Sequence, residues 1–278
     1  MGYQFLHVEC YARTAGKDKE GNHSIRSILA EAKRELGATS HVAKPKPPKL
    51  IYGNLNGVEE AAKEWAESAT DTIGRKLRKD GLCLLAGVVS VADDFEDWEN
   101  YKKRVLIFLR QEYGPRLRAV IEHEDEAHRH IHFFCVPRIG ERFDLIHDGK
   151  AAILAAKQSG IKLKGDLNSA YRLAMTGLQQ RFHTTCSVQF GLTRRGPGRR
   201  RLSRGEWVLE RENAKAIAEK IKVLESKVDS LERQNSKLEM ERNNAQGALR
   251  EFRVVCGLSV DTVTGTRFGA HETEIAEA

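Results

Sequence analysis

An α+β domain followed by a C-terminal coiled-coil helix is the class to which three features of this 278-residue chain point. Short runs of β-formers recur between stretches of helical period, two of those runs are joined by a very short link, and the last quarter carries a heptad seam. At this length one sizeable core plus an appendage needs no covalent staples.

Residues 3–11 are rich in β-formers and partly alternating, so they enter the core as a strand. After a break between Gly16 and Gly21, Ile25, Ile28, Leu29, Ala32 and Leu36 recur at helical spacing; Gly37 is the stop and His23 falls at the helix amino terminus. The string Lys44-Pro45-Lys46-Pro47-Pro48-Lys49 cannot be helical and runs as an extended crossing segment or strand-side loop before Leu50-Ile51-Tyr52. The spacing predicts helices over 58–79 and 95–113, with the apolar run 82–91 between them as a buried strand. Two more strands are read over 118–123 and 130–136, and the link 124–129 is short enough to make them antiparallel neighbours. Helical patterns at 149–160 and 166–182 close the compact part.

From about residue 206, Ile217, Ile221, Leu224, Val228, Leu231, Asn235, Leu238, Arg242, Ala245, Leu249 and Phe252 alternate spacings of four and three. Ile221, Val228, Asn235 and Leu249 at a, with Leu224, Leu231 and Leu238 at d, predict a parallel two-stranded coil whose register Asn235 fixes, hence a homodimer; a helix folded back on its own domain is the alternative. The expected organisation is a domain over 1–205, a coil over 206–255 and a flexible tail over 256–278.

Net charge is +7, and the excess crowds into one stretch holding Arg194, Arg195, Arg199, Arg200, Arg201 and Arg204, which fits a polyphosphate partner or a solvated basic linker. Five dispersed cysteines without a C-x-x-C pair argue against thiolate zinc and for a reducing cytoplasm. No apolar stretch approaches the roughly 20 residues of a membrane span, and no signal core opens the chain, so a soluble cytoplasmic protein is expected.

Chemistry concentrates at residues 120–134. On a strand His130 and His132 share a face while Ile131 and Phe133 point into the apolar layer behind. If the preceding strand runs back alongside, His123 joins them in a three-imidazole set with open coordination positions, the pattern of a catalytic rather than a structural metal site. A divalent ion held there polarises a phosphate and neutralises charge developing in the transition state. His128 shares that face only if the strand begins early; otherwise it belongs to the loop.

The string His123-Glu124-Asp125-Glu126-Ala127-His128-Arg129-His130-Ile131-His132 resembles the H-x-D-E-x-x-P-H-x-H motif of the plasmid mobilisation (Mob/Pre, MobV-type) relaxases of the HUH class. Arg129 stands where that family usually has Pro, a departure in the loop rather than in the ligands. Asn22-His23-Ser24-Ile25-Arg26 resembles the family's H-N-x-R motif, with Ser24 for Asn. Arg75-Lys76-Leu77-Arg78-Lys79-Asp80 resembles its basic motif, and Phe190-Gly191-Leu192-Thr193-Arg194-Arg195-Gly196 its G-L-x-R-G element. The resemblance spans about residues 1–205.

The resemblance implies a central antiparallel sheet with His130 and His132 on a central strand and helices on one face. It implies Mn²⁺ or Mg²⁺ as the ion, and nicking and strand transfer at a plasmid origin of transfer. His23 is then the nucleophile that joins the 5′ phosphate, with Tyr11 or Tyr3 as fallback, and Glu126 orients it. Arg26 meets the scissile phosphate or caps local charge. Arg75, Lys76, Arg78 and Lys79 and the arginine stretch contact phosphates of single-stranded or supercoiled origin DNA.

Two other readings compete. Residues 128–134 approach the H-φ-H-φ-H-φ-φ pattern of histidine-triad nucleotide hydrolases, but Arg129 is not apolar and His123 is left idle. A non-catalytic dimeric DNA-binding protein accounts for the arginines and the seam, but not for His23 beside the His123–His132 set.

Overall fold

Period-two alternation sets the sheet and decides which side chains share a face. In the computed structural model, which describes residues 2–14, 24–40, 42–71, 73–92, 94–126, 128–196 and 202–256, five strands pair as one sheet. They are β1 (Phe5–Ala12), β2 (Lys49–Gly53), β3 (Leu82–Ser90), β4 (Leu117–His123) and β5 (His130–Cys135), in the order β1-β3-β5-β4-β2. Every neighbouring pair is antiparallel, and β5 is central. β2 is an edge strand beside β4, so the prolines that precede it, Pro45, Pro47 and Pro48, interrupt no ladder.

The helices are α1 (Ile25–Ala32), α2 (Val58–Ser68), α3 (Trp98–Tyr113), α4 (Asp148–Gln158), α5 (Lys164–Phe182) and α6 (Arg204–Val255). α2 and α1 end well before their periodicity predicts. α2 stops at Ser68 because Asp71 accepts the backbone N–H groups of Ile73 and Arg75, and Gly74 turns the chain at φ 81°. The basic residues at 75–79 therefore stand in a turn and not on a helix. α1 stops at Ala32, ahead of Gly37, because Arg34 takes the left-handed conformation at φ 59°.

The core lies largely between the sheet and α3. The Tyr113 ring sits 5.6 Å from that of Phe133, and α5 packs on α3 through Phe182, 5.2 Å from Phe108. Gly87 on β3 makes room for this: a Cβ there would meet the Phe133 ring at 2.2 Å. Ile121, Ile131, Phe133 and Phe134 are fully buried, each worth about 1.5–3 kcal/mol of transfer free energy.

The chain divides into two units, Met1–Ile221 and Lys222–Ala278. In the second, the heptad residues Leu224, Val228, Leu231, Leu238 and Leu249 are all more than half exposed along α6. Among the described residues no helix is long and apolar enough to cross a membrane. The expected tail lies outside the described residues apart from Cys256.

Candidate metal centre

The register of the two innermost strands assembles the site. His123 on β4 is directly opposite His130 on β5, and Ile121 is opposite His132. All three imidazoles thus project from the sheet face opposite Ile131 and Phe133. One ring nitrogen from each lies within 4.8 Å of the others, with His123 and His130 buried and His132 half-buried.

The hydrogen bonds decide which nitrogens are available. Nε2–H of His123 donates to the Ala32 carbonyl at 2.8 Å, and Nδ1–H of His130 donates to the His128 carbonyl at 2.8 Å. A carbonyl only accepts, so each neutral ring has its proton on the outside. Nδ1 of His123 and Nε2 of His130 then face each other as lone pairs 3.2 Å apart. That spacing would let both nitrogens bind one ion. Two lone pairs so placed call for a cation between them, and imidazole donors suit Mn²⁺, Co²⁺, Ni²⁺ or Zn²⁺. The residues present fit a divalent ion.

A proton is a poor substitute for that cation. Burial first, then the positive charge of Arg34, pushes His123 down from 6.5 to about 4. Burial also holds His132 well below the ordinary value. Burial alone would raise the Asp125 carboxyl, but hydrogen bonds from Arg34 and from the Lys46 N–H hold it at about 2.

The values of His123 and Asp125 are both depressed on folding, so each contributes stability above its ordinary pKa that is lost on acidification. Metal-free protein is expected to lose about 3 kcal/mol as pH falls from 6.5 to 4, and a further, smaller amount toward pH 2 as the solvent-screened Asp125–Arg34 pair is lost. Urea midpoints at successive pH values measure this. A flat line between 6.5 and 4 would contradict neutral buried imidazoles.

The link between the ligand strands is held from outside. Arg34 donates from Nε to Asp125 Oδ2 at 2.9 Å, and from Nη2 to Asp125 Oδ1 at 2.8 Å and Glu126 Oε1 at 2.6 Å. The same Glu126 oxygen is 3.7 Å from His130 Nε2. Glu126 is thus brought near His130; His23, which it is expected to orient, lies outside the described residues. Behind the site, on the opposite face, the buried Glu122 carboxylate accepts from Trp98 Nε1 at 2.5 Å and Lys102 Nζ at 2.6 Å.

Other predicted residues fall elsewhere. Tyr11 is buried on β1, its hydroxyl donating to Glu9 at 3.3 Å, and burial followed by the Glu9 charge raises its pKa. It pairs with Leu84, four residues along β3 from the Val88 that faces His132, or about 13 Å away. Tyr3 is exposed near Thr193. Arg26 is paired with Glu35 and Glu59, Arg75 with Asp71 and Arg78 with Asp80, while Lys76 and Lys79 are exposed. Arg194 and Arg195 line a groove with Tyr3, Phe5 and His7 at the free edge of β1. His128 precedes β5, so it belongs to the loop. His23, Arg199, Arg200 and Arg201 lie outside the described residues.

Sequence reasoning missed Arg34 and the Trp98–Lys102–Glu122 cluster. Arg34 gave no local signal, because its partners are 91 and 92 residues away. Glu122 did give one: a carboxylate inside an apolar strand must find a cation.

No family model and no curated protein matches the chain. Among solved structures it is similar to the MobM relaxase domain (MOBV; Mob_Pre) bound to plasmid pMV158 oriT DNA. The Mn-bound form at pH 6.8 is 15% identical, covers 58% of this chain and 89% of its own, and superposes with a TM-score of 0.36. The complex with 26-nucleotide oriT DNA is 14% identical, with 59% and 90% covered and a TM-score of 0.31.

Proposed function

We propose that this chain is a relaxase of the plasmid mobilisation kind, which nicks one DNA strand at an origin of transfer and holds its 5′ phosphate covalently. One observation carries the reading: three imidazoles on adjoining central strands, with the His123 and His130 lone pairs turned inward by carbonyl anchors on their outer nitrogens. A divalent ion bound there, Mn²⁺ or Mg²⁺, would polarise the scissile phosphate and offset its developing charge.

The rest falls to the chain's own residues. By the motif resemblance, a His23 ring nitrogen attacks phosphorus; the N–P bond forms, the bond to the 3′ oxygen breaks, and that oxygen leaves with the bonding pair. Glu126 is the carboxylate that accepts the other ring N–H of the nucleophile. The ligand face extends beyond the imidazoles through Ser90 and Val88 to Phe5 and His7, which are level with His130 and His132. Beyond them the β1-edge groove holds Arg194 and Arg195, which supports a nucleic-acid track crossing the sheet. The exposed heptad stripe of α6 fits a second copy of this chain, and its mass in solution tests that pairing.

The direct test incubates purified protein with supercoiled parental plasmid in Mn²⁺, Mg²⁺ or EDTA. Expected are metal-dependent relaxed circles with protein on the 5′ end, an adduct that His23→Ala loses. An adduct surviving in His23→Ala moves the nucleophile to Tyr11 or Tyr3. Tight DNA binding with no nick under any metal defeats the enzymatic reading.

A further inference from the structure

We propose that Arg34, in the turn that follows α1, is a positioning residue of the metal centre, setting the ligand geometry through Asp125, Glu126 and the Ala32 carbonyl. The inference rests on the reading of the three imidazoles as a metal site.

Three observations converge on this turn. The first is its backbone. Arg34 N–H donates to the Glu31 carbonyl and Glu35 N–H to the Ala30 carbonyl, the bond pair of a Schellman end. The residue at the left-handed position of that motif is usually glycine, and any other side chain costs about 1 kcal/mol or more there. Arginine at φ 59° carries that cost, and its side-chain contacts are what can offset it.

The second is what the turn releases. Had the helix continued, residue 36 would donate to the Ala32 carbonyl. The left-handed break diverts the chain, and that carbonyl instead accepts Nε2–H of His123. The end of α1 thereby fixes which nitrogen of a ligand faces inward.

The third is the guanidinium. Its side chain is only 3% exposed, and its fork grips Asp125, 1% exposed, while a shared Nη2 reaches Glu126. Asp125 and Glu126 sit in the link from His123 to His130, so one planar group spans the connection between two ligands. It keeps the Glu126 carboxylate 3.7 Å from His130. Lysine could supply the charge but not the fork.

The test uses full-length protein without DNA, titrated with Co²⁺ and followed by its visible d–d bands and by calorimetry, with thermal melts run alongside. Arg34→Lys keeps a cation beside buried Asp125 and so preserves the fold. It is expected to bind Co²⁺ about 10- to 100-fold more weakly, with altered band shape, at temperatures where it is fully folded. Asp125→Asn breaks the same fork from the other side and should weaken Co²⁺ binding in the same range. If Arg34→Lys lowers only the melting midpoint and its Co²⁺ affinity and bands match wild type, Arg34 is structural and the proposal is wrong. Wild type that binds no Co²⁺ removes the metal reading itself, and this inference with it.

Discussion

His132→Ala is expected to leave nicking at least about 10³-fold slower than wild type, because the several kcal/mol of charge stabilisation an ion supplies convert at 1.36 kcal/mol per tenfold. His130→Ala should match it. His132 lies over its β4 partner Ile121, and truncating it disturbs no backbone anchor such as those of His123 and His130. On the proposed function DNA affinity should change little, since electrostatic contacts to phosphates, and not the imidazoles, would dominate it. The paired measurement is single-turnover nicking and equilibrium DNA binding at one salt concentration. Parallel loss of both in every imidazole variant, with falling melting midpoints, would mean that the histidines hold the fold. Retained nicking in His132→Ala would remove it from the ligand set.

The part of this site legible in the sequence is the part governed by short-range periodicity. His130 and His132 share a face through a two-residue repeat, and the link at 124–129 forced β4 and β5 together, so the register that adds His123 needed no long-range knowledge. Geometry set at a distance was not legible. α1 ended early at Arg34 rather than at Gly37, since the propensity signal of glycine was outweighed by a side-chain clamp formed with a segment far along the chain. α2 was read through to residue 79 because Ile73 and Leu77 continue its apolar spacing; the Asx-type bonds of Asp71 stop it earlier. β2 was passed over as the sequel to a proline-rich segment, since a short edge strand carries little alternation. The heptad seam was legible, and α6 spans it with Leu224, Val228, Leu231, Leu238 and Leu249 exposed along its length.

The largest stability effect is expected at Lys102→Met. Glu122 sits immediately before His123 on β4, but alternation turns its carboxylate to the α3 side, where it is 3% exposed. There it depends on Lys102 Nζ at 2.6 Å and Trp98 Nε1 at 2.5 Å, with Glu99 completing the lysine's contacts at 2.8 Å. Removing the cation leaves a buried charge with one neutral donor, a loss of about 3–5 kcal/mol and a fall in melting midpoint on the order of 10 °C. The apolar double variant Lys102→Met/Glu122→Leu should recover most of it, because replacing both partners of a buried pair by hydrophobic groups is often neutral. That recovery assigns the loss to the unpaired Glu122 charge; a double variant as unstable as Lys102→Met would assign it to the lost contact of the ammonium with the Trp98 ring. Metal affinity should follow the same order once each variant is cooled enough to fold, since residue 122 anchors the strand from which His123 projects.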